Sequence, residues 1–92
     1  MLYVVDCTDK PDALQIRLDA RSAHLAHLQQ YADNLVMAGP FLCPDGNMIC
    51  SMLIVAFETR DEVETFCASA PYALAGLFDS VAIRPWRKVL PA

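Results

Sequence analysis

The longest helical segment of this sequence carries charged and titratable side chains along its apolar face. Successive residues of a helix turn by about 100°. One face is therefore expected to carry Leu14, Leu18, Leu25, Leu28 and Ala32. Arg21 falls within that face, and Arg17, His24 and Tyr31 line its border. Because an arginine is costly to bury unless it is paired or lines a wet cavity, the spacing predicts a pocket edged with positive charge and holding an imidazole.

The order of the predicted elements indicates the fold class. Strands are predicted over residues 2–7, 35–42, 51–58 and 79–89, and helices over residues 13 to 33 or 34 and 59–68. Asp12 is expected to cap the first helix, and Thr59 with Glu62 to form a capping box on the second. The resulting order, β-α-β-β-α-β, predicts a ferredoxin-like α+β fold. Its antiparallel sheet carries both helices on one face, in a single domain over residues 1–92.

Composition predicts that the chain associates with a second copy. Hydrophobic residues make up 55% of the 92 residues, which is high for a small domain, and the second face of the sheet is left without helices. A homodimer would cover that apolar surface. Trp86 lies within the cationic stretch 84–88 and is expected to anchor the interface, in preference to a phosphate or nucleic-acid site.

Charge and segment lengths exclude other partners and indicate a location. The net charge of −4 argues against binding to nucleic acid or to an anionic membrane. No apolar run approaches the length of a membrane-spanning helix, and no signal peptide is recognisable. We therefore expect a cytoplasmic protein whose four cysteines are reduced and mostly buried. A disulfide or metal site at Cys43 and Cys50 is the less favoured alternative, and no cofactor motif is present.

His24 is the candidate catalytic residue, and two arginines are candidate ligand-binding residues. The ordinary pKa of an imidazole suits proton transfer near neutral pH, so His24 can act as a general acid or base. Arg17 and Arg21, one turn apart, can clamp a carboxylate, phosphate or phenolate. The alternatives are a histidine that only packs at a helix edge, and arginines paired with Asp19, Glu58 or a partner subunit. His27 is expected to face solvent.

Four further residues are expected to line the same cleft. Gly39 and Pro40 break the second strand and bring main-chain groups close to a ligand, although a structural bulge explains them equally well. Ser51 can donate a hydrogen bond at the start of the third strand. Tyr72 is expected to form part of the cleft wall or the core.

The chain resembles the YciI-like (YCII-related) family over nearly its whole length. The resemblance lies in residues 1–5, 17–25, 38–40, 51–55, 71–78 and 84–89, in that order and spacing. It implies a dimeric α/β barrel similar to the muconolactone-isomerase type, with a small cleft centred on a histidine and an aspartate. By position that histidine is His24, and the helix arginines are Arg17 and Arg21. One branch resembles dehydrochlorinases of chlorinated hydroxyquinols, which implies a small aromatic or anionic ligand.

The sequence departs from this family at one position of the cleft. The family has Asp-Pro-Tyr or Asp-Pro-Phe where this chain has Ala70 before Pro71. If that aspartate pairs with the histidine, the pair is missing here unless Asp6, Asp9 or Asp45 replaces it. Two hypotheses follow: a lyase- or isomerase-type enzyme, or a ligand-binding or dimeric assembly module without chemistry. A purely structural partner of a pathway enzyme is a third.

Overall fold

The computed structural model describes all residues 1–92, which form one four-stranded antiparallel sheet with the helices on one side. The elements are β1 (Leu2–Asp9), α1 (Leu14–Gln30), β2 (Leu35–Leu42), β3 (Met48–Ala56), α2 (Arg60–Ala68), α3 (Pro71–Leu74) and β4 (Phe78–Trp86). The strand order is β2-β3-β1-β4, and every neighbouring pair is antiparallel. The predicted ferredoxin-like α+β fold is confirmed.

The core lies between the helices and the two central strands. Alternate residues of a strand point to one face, and the helix-facing residues of β1 and β3 pair as Tyr3 with Val55 and Val5 with Leu53. All four side chains are buried, together with Phe66 of α2. The period-two pattern of β1 and the apolar run of β3 therefore position the sheet beneath the helices.

The opposite face of the sheet has no covering element and carries apolar residues beside the exposed charged residues Asp6 and Arg84. At its centre the half-buried Val4 pairs with Ile54, which the chain itself already buries. Towards its two edges, Met37 is 53% exposed and Trp86 is 41% exposed.

No helix of the chain combines the length and hydrophobicity that crossing a bilayer requires.

The capping residues predicted from sequence mark the start of α2 correctly, but the predicted ends of α1 differ from the structure. Thr59 caps α2, since its side chain accepts a hydrogen bond from the Glu62 amide. Asp12 does not cap α1, because it adopts a positive φ of 56° and the N-cap is Ala13. A turn over residues 31–34 ends α1 at Gln30, three or four residues earlier than predicted.

The hairpin between β2 and β3 contains an irregularity that sequence did not reveal. Cys50 has a φ of 55°, and the register of the two strands shifts between Pro40 and Phe41. Pairing continues beyond this bulge, so β3 begins at Met48 rather than at residue 51. The last strand, in turn, ends at Trp86 and not at residue 89.

The orientation of α1 differs from the apolar-face prediction. Its buried residues are Arg17, His24 and Leu28, whereas Leu18 is 47% exposed and Leu14 and Leu25 are also exposed. The physical reason is that neighbouring elements supply polar partners for the arginine and the imidazole, as described below. The prediction that Arg21 is buried is wrong for the same reason, since Arg17 occupies the buried position instead.

Candidate active site

One open cavity of about 170 Å³ lies between α1 and the β2–β3 hairpin. The structure brings all seven predicted site residues to its wall: Arg17, Arg21, His24, Gly39, Pro40, Ser51 and Tyr72. The remaining wall is apolar and was not predicted to belong to a cleft: Leu25, Leu28, Ala38, Met48 and Leu53. Four of these residues are predicted to lie on the apolar face of the first helix or in strands, and Met48 lies outside every predicted element. They line a cleft only because the cavity opens beside β2.

Arg17 is held at the base of the cavity by a two-point ion pair. Its Nε and Nη2 atoms each lie 2.9 Å from a carboxylate oxygen of Asp9. Nη2 also donates to the carbonyl oxygen of Cys50 at 2.8 Å and to Oγ of Ser51 at 2.9 Å. Burial alone would lower the pKa of the guanidinium, but the hydrogen bond and charge of Asp9 raise it above the ordinary value. Arg17 therefore stays charged.

The identity of this partner corrects the alternatives predicted for Arg17. Asp19 and Glu58 are not its partners; Asp19 accepts a hydrogen bond from Gln15 instead. Asp9 is the last residue of β1, and the short connection to α1 brings its carboxylate against the first turn of the helix. Nε and Nη2 of Arg17 are therefore both committed to partners within the protein.

Tyr72 contacts two of the three basic groups in the cavity wall, His24 and Arg17. Its ring stacks on the imidazole of His24, with centroids 3.7 Å apart and planes 10° apart. The guanidinium carbon of Arg17 lies 4.8 Å from the centroid of the same ring, within the range of a cation–π contact. The Tyr72 amide also donates to Nδ1 of His24 at 3.4 Å. One residue of α3 thus fixes the position of the imidazole.

His24 is a neutral imidazole at physiological pH. Burial is the main cause that lowers its pKa from 6.5 to about 4, and the charges of His27 and Arg17 lower it further. No carboxylate opposes this effect, because the Tyr72 amide is the only hydrogen-bond partner of the ring. At neutral pH His24 can therefore donate one hydrogen bond and accept another, but it carries no positive charge.

Arg21 supplies the accessible positive charge of the cavity. It is exposed at the rim and forms no salt bridge, since the ion pairs of the chain are Arg17 with Asp9 and Arg60 with Glu64. An unpaired guanidinium can bind an anion with two parallel hydrogen bonds. Arg21 is therefore better placed than Arg17 to meet an incoming anionic group.

The β2–β3 hairpin contributes the opposite wall. Pro40 pairs with Ser51 and Gly39 with Met52, and the Ser51 hydroxyl accepts from Arg17. A Cβ atom at Gly39 would meet nothing within 4 Å, so packing does not require glycine there. Pro40 sits on an edge strand, where its missing N–H interrupts no inner ladder.

The prediction that His27 faces solvent is wrong. Its ring is half-buried, with centroids 5.1 Å from Tyr31 and 5.6 Å from Phe66. Its Nε2 is the one buried side-chain polar atom of the chain that has no hydrogen-bond partner. The adjacent buried aromatic cluster accommodates the ring, and helical periodicity alone gives no sign of that cluster.

None of the proposed substitute acids reaches His24. Ala70 is buried at the N-cap of α3 without a side-chain hydrogen bond. Asp9 is committed to Arg17, and Asp45 accepts from Asn47 in the hairpin turn. Asp6 is exposed and shares the open sheet face with its partner Met52. The imidazole accordingly has no carboxylate partner in this chain.

The cysteines are free, and no cluster suited to a metal ion is present. Burial raises the pKa of the Cys7 thiol to about 12 and that of Cys67 to about 11. Thiols with such pKa values are protonated at neutral pH and are poor nucleophiles. The polar chemistry of the cavity therefore falls to His24, Arg21 and Ser51.

Comparison with known proteins assigns the family. The model of the YCII-related domain matches residues 1–87. The chain belongs to the YCII-related domain family. Among its relatives is protein YciI of Escherichia coli O6:H1 (strain CFT073), 37% identical, with 97% of this chain and 99% of that protein covered. A protein of Haemophilus influenzae is 35% identical over the same shares of both chains.

A solved structure extends this YCII-related likeness to an enzyme. The 5-chloro-2-hydroxyhydroquinone dehydrochlorinase of Burkholderia phenoliruptrix AC1100, in complex with 2,5-dihydroxybenzoquinone, superimposes with a TM-score of 0.88. It is 35% identical, and the match covers 95% of this chain and 94% of that chain. The YCII-related protein is thus similar in both sequence and fold to a small enzyme that binds an oxygenated six-membered ring.

Proposed function

We propose that this YCII-related protein is a lyase- or isomerase-type enzyme that acts on a small anionic or aromatic substrate in the cavity beside His24. The observation that carries the proposal is the placement of His24 and Arg21 in the wall of one open cavity. A neutral imidazole and an unpaired guanidinium provide hydrogen bonding and charge for a small oxygenated ring. The likeness to the dehydrochlorinase supports the same class of substrate.

The cavity supports a division of roles among its polar residues. Arg21 attracts the anionic group from the rim, and His24 contacts the reacting part of the ring. Tyr72 is a positioning residue, because it holds the imidazole by stacking and by its amide. Arg17 is also a positioning residue, since its Nε and Nη2 donors hold Asp9 and Ser51.

The dimensions and lining of the cavity favour a single ring over a larger substrate. A volume of about 170 Å³ is below the usual range of roughly 300–1,000 Å³ for drug-sized ligands. Leu25, Leu28 and Leu53 in its wall would bury the faces of a flat, apolar ring. A small aromatic or quinonoid molecule with ionised oxygens would pack its ring against the leucines and pair its charge with Arg21.

Elimination of hydrogen chloride provides a direct assay of this function. The chlorine leaves as chloride with the electrons of the carbon–chlorine bond, and the substrate loses one proton to the medium. We expect the purified protein to release chloride from 5-chloro-2-hydroxyhydroquinone. His24→Phe, which keeps a flat ring but removes both nitrogens, should lower kcat/KM on the order of 10²-fold or more.

A matched variant on the same helix controls for indirect effects. Ser22 is exposed on α1 and does not line the cavity, so Ser22→Ala should release chloride at the rate of the natural protein. Full chloride release by His24→Phe would contradict the role proposed for the imidazole. Absence of chloride release from the natural protein would contradict the lyase proposal for this substrate.

A second candidate function is a ligand-binding module without chemistry, and Ala70 favours it. A buried alanine stands where the family has an aspartate, and His24 has no carboxylate partner. Binding of 2,5-dihydroxybenzoquinone without chloride release would support this candidate. A gain of chloride release in Ala70→Asp, absent in the neutral and equally sized Ala70→Asn, would show that the missing acid is what limits the site.

We also propose that the protein is a cytoplasmic homodimer joined through the uncovered sheet face. The support for the dimer is the apolar surface of this face, formed by the half-buried Val4 and, towards the edges, by the exposed Met37 and Trp86. The support for the location is the set of four free thiols, which fits a reducing compartment. Sedimentation of the purified protein and fractionation of cells that produce it test the two statements.

A further inference from the structure

The two nitrogens of His24 have different surroundings. Nδ1 accepts the hydrogen bond of the Tyr72 amide at 3.4 Å. Nε2 of His24 makes no hydrogen bond within the chain. It is still accessible to solvent, because only one side-chain polar atom is both buried and without a partner, and that atom is Nε2 of His27. A neutral imidazole has one accepting nitrogen and one N–H. Since Nδ1 is the acceptor, the proton belongs on Nε2.

The alanine at the N-cap of α3 explains why Nδ1 is engaged in this way. Helix α3 begins with Ala70 at its N-cap, followed by Pro71 and Tyr72. The amides of a first helical turn lack partners within the helix, and an N-cap side chain usually accepts one of them. Alanine offers no acceptor, so the imidazole of His24 takes the Tyr72 amide in its place. Stacking of the same tyrosine on the imidazole at 3.7 Å holds this arrangement.

The charged and titratable groups around the ring oppose a second proton. Arg17 and His27 flank His24 on α1, and Arg21 lies one turn away at the rim of the cavity. Tyr72 faces it from α3, and the thiols of Cys7 and Cys67 line the small apolar space beneath it. None of these groups is a carboxylate that would stabilise an imidazolium. His24 therefore keeps one proton, on Nε2.

We infer that His24 meets its ligand as a neutral Nε2–H hydrogen-bond donor and not as a general base, so the ligand atom it recognises is an ionised oxygen. This inference rests on the proposed function and specifies its substrate as the phenolate or enolate form of a hydroxylated ring. Such an oxygen accepts from Nε2–H while the charge of Arg21 balances it. A phenol that still carries its proton is a weaker acceptor and leaves that charge unbalanced.

The tautomer can be measured directly without any ligand. Long-range proton–nitrogen NMR spectra of the imidazole distinguish a protonated from an unprotonated nitrogen, and His24→Phe identifies the signals because His27 is the only other histidine. At neutral pH we expect Nε2 protonated and Nδ1 unprotonated in His24. A ring protonated on Nδ1, or on both nitrogens, would overturn the inference.

Binding of a phenol of suitable acidity tests the ligand form. The probe is 4-nitrophenol, titrated calorimetrically at pH values on either side of its ionisation. The phenolate should bind more tightly than the neutral phenol. His24→Phe should weaken phenolate binding on the order of 10- to 100-fold, the effect of one hydrogen bond to a charged group. Tighter binding of the neutral phenol, or binding of neither form, would overturn the inference.

A conservative variant separates donation from base catalysis. Glutamine offers an amide N–H near the position of Nε2 but cannot take a proton, so His24→Gln should bind the phenolate more tightly than His24→Phe does. Equal loss in the two variants would count against a donor role. A protonated Nε2 with phenolate binding but no chloride release would overturn the proposed enzyme alone. Chloride release with the proton on Nδ1 would overturn only the donor role.

Discussion

Asp9 and Arg17 form a buried ion pair in which two guanidinium nitrogens each lie 2.9 Å from a carboxylate oxygen. The pair joins the end of β1 to the first turns of α1. Through the Cys50 carbonyl and the Ser51 hydroxyl, the same guanidinium also holds β3. The base of the cavity is therefore a network of hydrogen bonds centred on the Arg17 guanidinium. The network is stable only while both Asp9 and Arg17 are charged.

Removal of the carboxylate should strongly destabilise the fold. Asp9→Ala leaves the Arg17 guanidinium buried without its counter-charge, at a cost of about 3–5 kcal/mol in the free energy of unfolding. Urea denaturation of the natural protein and the variant measures the difference. The control is Glu64→Gln, which breaks the exposed pair with Arg60 and should cost at most about 1 kcal/mol. Equal losses in the two variants would refute the buried network.

Stability should fall with acid through the titration of His24. In the folded protein its pKa is about 4, against 6.5 for an ordinary histidine. Between these values the unfolded chain binds a proton that the folded protein does not, so the free energy of unfolding decreases as the pH falls from about 6.5 to about 4. The loss attributable to this group is about 3 kcal/mol at the acid end.

Chemical denaturation across that pH range measures this contribution. His24→Phe lacks the titrating group, so its free energy of unfolding should fall less steeply between pH 6.5 and pH 4 than that of the natural protein. The comparison uses slopes, because the variant can change overall stability at every pH. Parallel pH profiles of the two proteins would show that His24 is not held neutral by the fold.

The uncovered sheet face should control the oligomeric state. We expect a dimer at micromolar concentration by sedimentation velocity. Trp86→Glu, which places a charge at the edge of that face, should shift the protein towards monomer. Leu74→Glu is the matched control, since Leu74 is 76% exposed on α3, on the helix side of the sheet. A natural protein that sediments as a monomer would contradict the proposed interface.

The cap of α2 offers a local test of the fold. Thr59→Ala removes the acceptor of the Glu62 amide and should lower the free energy of unfolding by about 1 kcal/mol. Thr59→Ser keeps the hydroxyl and should retain most of the stability. Thermal or urea unfolding of the three proteins distinguishes these outcomes. Equal stability of the alanine and serine variants would show that the cap contributes little.

Local sequence patterns were sufficient to predict the order of the strands and helices. The boundaries of β2 were predicted correctly, because a β-rich segment is bounded by a turn on each side, and its Gly-Pro step does not end pairing on an edge strand. Thr59 and Glu62 marked the start of α2 by chemistry confined to four residues. The continuous apolar run of β3 correctly indicated a central strand.

The interior of the site depended on contacts that no local pattern contains. The burial of Arg17 follows from Asp9 and Ser51, which lie in other elements, and so does the outward position of Leu18. The bulge at Cys50 and the aromatic surroundings of His27 also arise only after the elements pack. All seven candidate residues nevertheless line one cavity, because the order of the helices and strands that carry them was correctly predicted.

Ligand mapping by NMR tests the central claim most directly. Titration of the isotope-labelled protein with 2,5-dihydroxybenzoquinone should give saturable shifts in the amide signals of Arg21, Gly39 and Ser51, which surround the cavity. The same titration of His24→Phe should require a higher ligand concentration. No shifts at these residues, or shifts confined to the cationic stretch 84–88, would contradict a ligand site beside His24.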